Sequence, residues 1–161
     1  MSQIKNRTTF YIILLFCIFA LFFAYIVQYV LGHKPCNLCL IERIPYFFAI
    51  TIIASSLILK KFEKKIIILL FLTFVFSVGV SFYHLGIEQG LIEESMVCNV
   101  GDNNNQNLSK ENLLKELQKE TINCKDVSFR IFGLSLATIN AIISLIFSAI
   151  LLNLFIKYEK N

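Results

Sequence analysis

Residues 10–31 read FYIILLFCIFALFFAYIVQYVL, 22 positions without a charge and with one strongly polar side chain, Gln28. At about 1.5 Å rise per residue a helix of this length crosses the roughly 30 Å hydrocarbon core of a bilayer. Three more runs are comparable. Residues 40–59 are uncharged after Glu42 and Arg43, residues 66–87 carry His84 near their end, and residues 131–156 hold only Asn140 and Asn153 as amides. In lipid only helices and closed barrels satisfy their own backbone, and hydrophobicity that is continuous, not alternating, selects helices. The expected fold is an all-α membrane protein, a single domain over 1–161. It is a four-transmembrane-helix bundle with a short loop at 32–39 and a long one at 88–130. Lys5 and Arg7 precede the first run as they would in a secretion signal. The run nevertheless exceeds an h-region of about 7–15 residues, and no small-x-small cleavage site follows it.

Composition points the same way. Of 161 residues 57% are apolar and 16% charged, where a soluble domain carries about 45–50% and about 25%. A net charge of +4 without a basic stripe argues against a nucleic-acid partner and leaves membrane lipid as the surrounding medium.

The loops set an orientation. Lys5, Arg7, Lys60, Lys61, Lys64, Lys65, Lys157 and Lys160 share one side with only Glu63 and Glu159, which the positive-inside rule makes cytoplasmic. The long loop on the other side is net negative, with five basic and eight acidic residues. Both termini are then cytoplasmic, and Tyr29, Tyr46 and Tyr83 are expected as outer interfacial anchors. Within the long loop a turn-rich stretch at Gly101–Asn105 precedes an amphipathic one, with Leu113, Leu114 and Leu117 opposite lysines and glutamates. That stretch suits either a membrane-surface helix or a solvated one.

Four of the five cysteines fall on the outer side, where disulfides persist. Cys36 and Cys39 form a C-x-x-C at the mouth of the second run, Cys98 and Cys124 lie in the long loop, and Cys17 sits alone in the first run as a packing residue. The parsing is two pairs and a remainder. A helix starting near Cys39 would aim its free N–H groups at that sulfur, and Arg43, four residues on, would share its face. Both would favour a thiolate, although Arg43 could instead simply snorkel to the interface. His84 lies at the same membrane level as the C-x-x-C. The same four outer cysteines could alternatively be static bridges or, less well spaced, a zinc site.

The string Lys34-Pro35-Cys36-Asn37-Leu38-Cys39-Leu40-Ile41-Glu42-Arg43 resembles that of the disulfide bond formation protein B (DsbB) family of bacterial membrane oxidases. Tyr83-His84-Leu85-Gly86-Ile87-Glu88-Gln89-Gly90, and Cys124 followed by Phe132-Gly133-Leu134-Ser135, extend the likeness over nearly the whole chain. The resemblance implies a protein-dithiol:quinone oxidoreductase of the bacterial inner membrane, with its redox cysteines facing the periplasm. Its partner would be a periplasmic thioredoxin-like disulfide oxidase and its cofactor a quinone, ubiquinone or menaquinone. Carried over by position, Cys98 and Cys124 would be the loop disulfide that meets the partner, Cys98 forming the mixed disulfide. Cys124 would exchange with Cys36, and Cys39 would face the quinone with Arg43 and His84 beside it. The vitamin K epoxide reductase-like proteins are the nearest alternative, but there the loop pair precedes the C-x-x-C. A non-catalytic scaffold with two static disulfides is a second alternative. A metal transporter is a third, and it lacks the deep intramembrane Asp, Glu or His that such a path uses.

Overall fold

The computed structural model describes residues 2–58, 63–93, 98, 124–125, 130–131 and 133–159. The helices are α1 (Ser2–Tyr29), α2 (Asn37–Ile41), α3 (Ile44–Ile58), α4 (Glu63–Glu88) and α5 (Leu136–Glu159). A two-stranded antiparallel hairpin, β1 (Arg130–Ile131) and β2 (Leu134–Ser135), leads into α5. Four segments are long and apolar enough to span a bilayer: Arg7–Tyr29, Asn37–Ser56, Lys64–Glu88 and Leu136–Tyr158. The chain is thus a multi-pass membrane protein. The turn at Gly101–Asn105 and the amphipathic stretch around Leu113 and Leu117 lie outside the described residues.

Two local departures from the sequence expectation matter for the site. The second span starts at Asn37, not residue 40, and breaks at Glu42–Arg43 into α2 and α3. Pro45, second residue of α3, has no N–H to return to the carbonyl of Ile41, so the ladder is interrupted there. Arg43 N–H instead bonds Leu40 O at 3.2 Å in a tighter turn, and Phe47 N–H to Arg43 O resumes the helix. The fourth span starts at Leu136, not residue 131. Gly133, at φ 83°, closes the hairpin turn that occupies the first part of the apolar run. Ser135 then caps α5, its Oγ accepting from Thr138 N–H at 3.2 Å.

The bundle core is drawn from all four spans. Phe10, Ile13, Cys17 and Leu21 of α1 recur at helical spacing and meet Tyr46, Ala49 and Ile53 of α3, Ile67, Leu70 and Phe74 of α4, and Phe147 and Leu151 of α5. Phe74 links the layers edge-on, its ring 6.4 Å from Tyr46 and 5.1 Å from Phe147, which lies 5.1 Å from Phe16. Cys17 is wholly buried in this core as a packing residue.

Above that core, toward the cysteine end, the interior turns polar. Ser77, Ser81, His84 and Glu88 follow one another at spacings of four, three and four along α4 and so share a face. Asn140 and Ser144 present the matching face of α5, where Ser77 Oγ and Ser144 Oγ meet at 2.9 Å. Tyr46 is also here. It is buried and its hydroxyl donates to Asn140 Oδ1, so it is an interior strut and not the interfacial anchor its position suggested. Tyr29 is the exposed tyrosine at the end of α1.

Candidate functional site

Cys36 is the N-cap of α2. Its extended backbone (φ −71°, ψ 167°) turns the side chain back over the first turn, where Sγ accepts from Cys39 N–H at 3.3 Å. The helix therefore aims its N-terminal N–H groups at Cys36 and not at Cys39, which lies inside the first turn. Sequence reasoning placed the helix start two to three residues too late and so credited the wrong sulfur with this stabilisation. The two Sγ atoms are 2.8 Å apart as free thiols.

His84 approaches from α4. Its Nε2 lies 3.6 Å from Cys36 Sγ and 3.7 Å from Glu88 Oε1, and its Nδ1 lies 2.9 Å from Glu42 Oε1. His84 is 2% exposed, Glu42 7% and Cys36 8%. The Cys39 thiol donating to Cys36, with the hydrogen bond and charge of His84, outweighs burial and brings the Cys36 thiol down to about 4. These contacts favour the thiolate form of Cys36 over the thiol.

Cys98 and Cys124 are joined as a disulfide with Cα atoms 5.8 Å apart. It is packed into one buried cluster with Cys36, Leu38 and Ile87, against which Cys39, Ile41 and Tyr83 rest. These four cysteines therefore meet in one place, Cys98 bonded to Cys124 and Cys36 and Cys39 unbonded. Donor atoms of Cys36, Cys39 and His84 lie within 4.8 Å of one another, one short of the four that a structural zinc takes.

Arg43, released from the helix by the break before α3, turns toward α1. Its Nη1 donates to Gln28 Oε1 at 2.6 Å and its guanidinium lies 5.2 Å from the Tyr25 ring centre. The one polar interruption in the first run is thus the partner of the one arginine in the second. Leu40, Ile44, Tyr25 and Tyr29 around it are exposed, so this corner opens toward lipid.

Sequence reasoning quoted Glu42 without giving it a role and missed Asn140, Ser81 and Glu88 at the site. The signals were present: two amides and a glutamate in otherwise apolar spans, and the four-three-four spacing of polar residues on α4.

Comparison with known proteins agrees with this layout. A family model described as "Disulfide bond formation protein DsbB" matches residues 6–154. A protein of Rickettsia prowazekii (strain Madrid E), named "Uncharacterized protein RP370", is 31% identical over 145 residues, covering 89% of this chain and 84% of the relative. No solved structure matches. With the family match running through all four spans and both cysteine pairs, the chain belongs to the DsbB family of membrane disulfide-bond formation proteins.

Proposed function

We propose that this protein reoxidises a periplasmic thioredoxin-like dithiol protein and passes the two electrons to a membrane quinone, ubiquinone or menaquinone. The observation that supports this best is the gathering of a loop disulfide and a free C-x-x-C into one buried cluster at one end of the bundle.

In this reading a thiolate of the partner attacks Cys98, the Cys98–Cys124 bond breaks, and the partner's second thiol releases Cys98 as its own disulfide closes. The electron pair now on the loop pair passes to the Cys36–Cys39 disulfide by exchange between Cys124 and Cys36. Cys39 is left as the sulfur that faces the acceptor. A quinone bound here supplies a two-electron, two-proton sink. The lipid-open corner around Arg43 suits such a planar, membrane-soluble molecule: a donor-only guanidinium beside an aromatic ring, on the residue four positions after the half-buried Cys39. Arg43 would hold a carbonyl oxygen there. The bias of basic residues to the other end of the bundle supports an inner-membrane topology with both termini cytoplasmic.

The test is spectroscopic quinone reduction by reduced partner protein. Cys39→Ser and Cys98→Ser each abolish it, whereas Arg43→Ala raises the quinone concentration needed without changing partner binding. Full turnover in Cys39→Ser would sink the relay.

A further inference from the structure

Glu42 is a carboxylate inside a membrane-spanning segment, 7% exposed and close to the redox pair. A charge in such surroundings is costly unless it is paired and hydrogen-bonded, and intramembrane acids mark function. Both of its oxygens are engaged. Oε1 meets His84 Nδ1 at 2.9 Å, and Oε2 accepts from Asn140 Nδ2 at 3.1 Å. Asn140 has no freedom to flip. Its Nδ2 also donates to Ser81 Oγ at 2.8 Å, while its Oδ1 accepts from the Tyr46 hydroxyl and from Ser144 Oγ at 3.4 Å. Reversing the amide would set oxygen against a carboxylate and NH₂ against two donors.

The network thus fixes the carboxylate, and the carboxylate fixes the imidazole. An acceptor at Nδ1 requires the proton there, which leaves the Nε2 lone pair facing Cys36 Sγ at 3.6 Å. Thiol, imidazole and carboxylate in line, with the acid itself oriented by a further group, is the arrangement of an activated nucleophile.

We propose that His84 is the acid–base residue of Cys36, and that Glu42 and Asn140 are positioning residues that act through it. His84 Nε2 takes up and holds the thiol proton, so that the reduced pair stands as Cys36 thiolate and His84 imidazolium. Cys36 Sγ then bonds a sulfur of the neighbouring Cys98–Cys124 disulfide, that S–S bond breaks, and the departing sulfur receives the proton from His84. In the reverse direction Cys36 departs and His84 protonates it. One S–S bond is exchanged for another, one proton is moved, and no external oxidant is needed. The inference rests on the exchange between the two pairs proposed above.

The groups that face this dyad among the described residues are Cys36, Cys39, Glu42 and Tyr46 from the second span and Glu88 from α4. Asn140 and Ser144, from α5, are uncharged. The discriminating measurement is the alkylation rate of Cys36 in fully reduced, quinone-free protein as a function of pH, read by mass spectrometry of the Cys36 peptide. Wild type gives a rate nearly flat from pH 6 to 8. Glu42→Gln and His84→Ala lower the rate at pH 6 by about tenfold or more and make it climb with pH as an ordinary thiol does. Glu42→Asp restores part of the flat profile because it keeps the charge, whereas a merely structural role would favour the isosteric Gln over Asp. Profiles unchanged in Glu42→Gln and His84→Ala, or Gln outperforming Asp, overturn the proposal. If the exchange reading fails instead, wild type still shows the flat Cys36 profile but passes no electrons between its cysteine pairs.

Discussion

Asn140 shows what one amide does inside an apolar bundle. Four side-chain hydrogen bonds converge on it, with Tyr46, Glu42, Ser81 and Ser144 as partners. In Asn140→Leu the volume is nearly kept while the Tyr46 hydroxyl, one Glu42 oxygen and Ser81 each lose a partner. A buried polar group left unsatisfied costs about 1–3 kcal/mol, and neighbouring losses do not add fully. The expected outcome is a loss of about 2 kcal/mol or more, read as a lowered midpoint in thermal unfolding in detergent. A midpoint equal to wild type would mean that the network contributes nothing to the fold. Leucine gains from burial work in the opposite direction, but Asn140 is already surrounded by protein and not by lipid, so little new apolar area is buried.

At the scale of elements, what could be read from the sequence was set by hydropathy, and what could not was set by backbone geometry. Four apolar runs were enough to place four spans, and the two-plus-two-plus-one division of the cysteines followed from where those runs end. Hydropathy does not register that Gly133 adopts φ 83° and turns residues 130–135 into a hairpin, because Ile131, Phe132 and Leu134 read as membrane helix. Nor does it show that the second span is split before Pro45, with Glu42 at the break buried beside His84. The end of α4 gives a direct check on such geometry. Gly90 sits at φ 72° just past the helix, its N–H bonding Ile87 O at 3.0 Å while Leu91 N–H reaches Gly86 O at 2.9 Å. Gly90→Ala puts a Cβ on a left-handed residue and is expected to cost about 1–2 kcal/mol. Gly86→Ala brings a Cβ to 2.6 Å from Ile92 Cδ1, the far end of an exposed and flexible side chain. It also gains about 1 kcal/mol in helix propensity, so its unfolding midpoint is expected to stay near wild type. Equal losses for both variants would contradict the helix-end geometry.

Over the whole molecule the polarity of a soluble protein is inverted toward the cysteine end. Serines, an asparagine, a histidine and a glutamate fill the interior there while leucines and phenylalanines face outward. The two ends also differ. One gathers both cysteine pairs, and the other carries Arg7, Lys64, Lys65 and Lys157 among the described residues. Their arrangement across a membrane decides whether the chemistry is possible at all, because a disulfide-generating cluster persists only where the surroundings do not reduce it. The orientation can be measured with a membrane-impermeant maleimide on intact cells. The background carries Cys36, Cys39, Cys98 and Cys124 as serines and retains Cys17, which is wholly enclosed by the core and serves as the unreactive internal reference. Gln89→Cys, on the exposed turn at the cysteine end of α4, is expected to label in intact cells. Lys157→Cys, near the opposite end of α5, is expected to label only after permeabilisation. Labelling of Lys157→Cys but not Gln89→Cys in intact cells would place the cysteine cluster in the reducing compartment. That result would remove the periplasmic partner from the reading, however well the site itself is assembled.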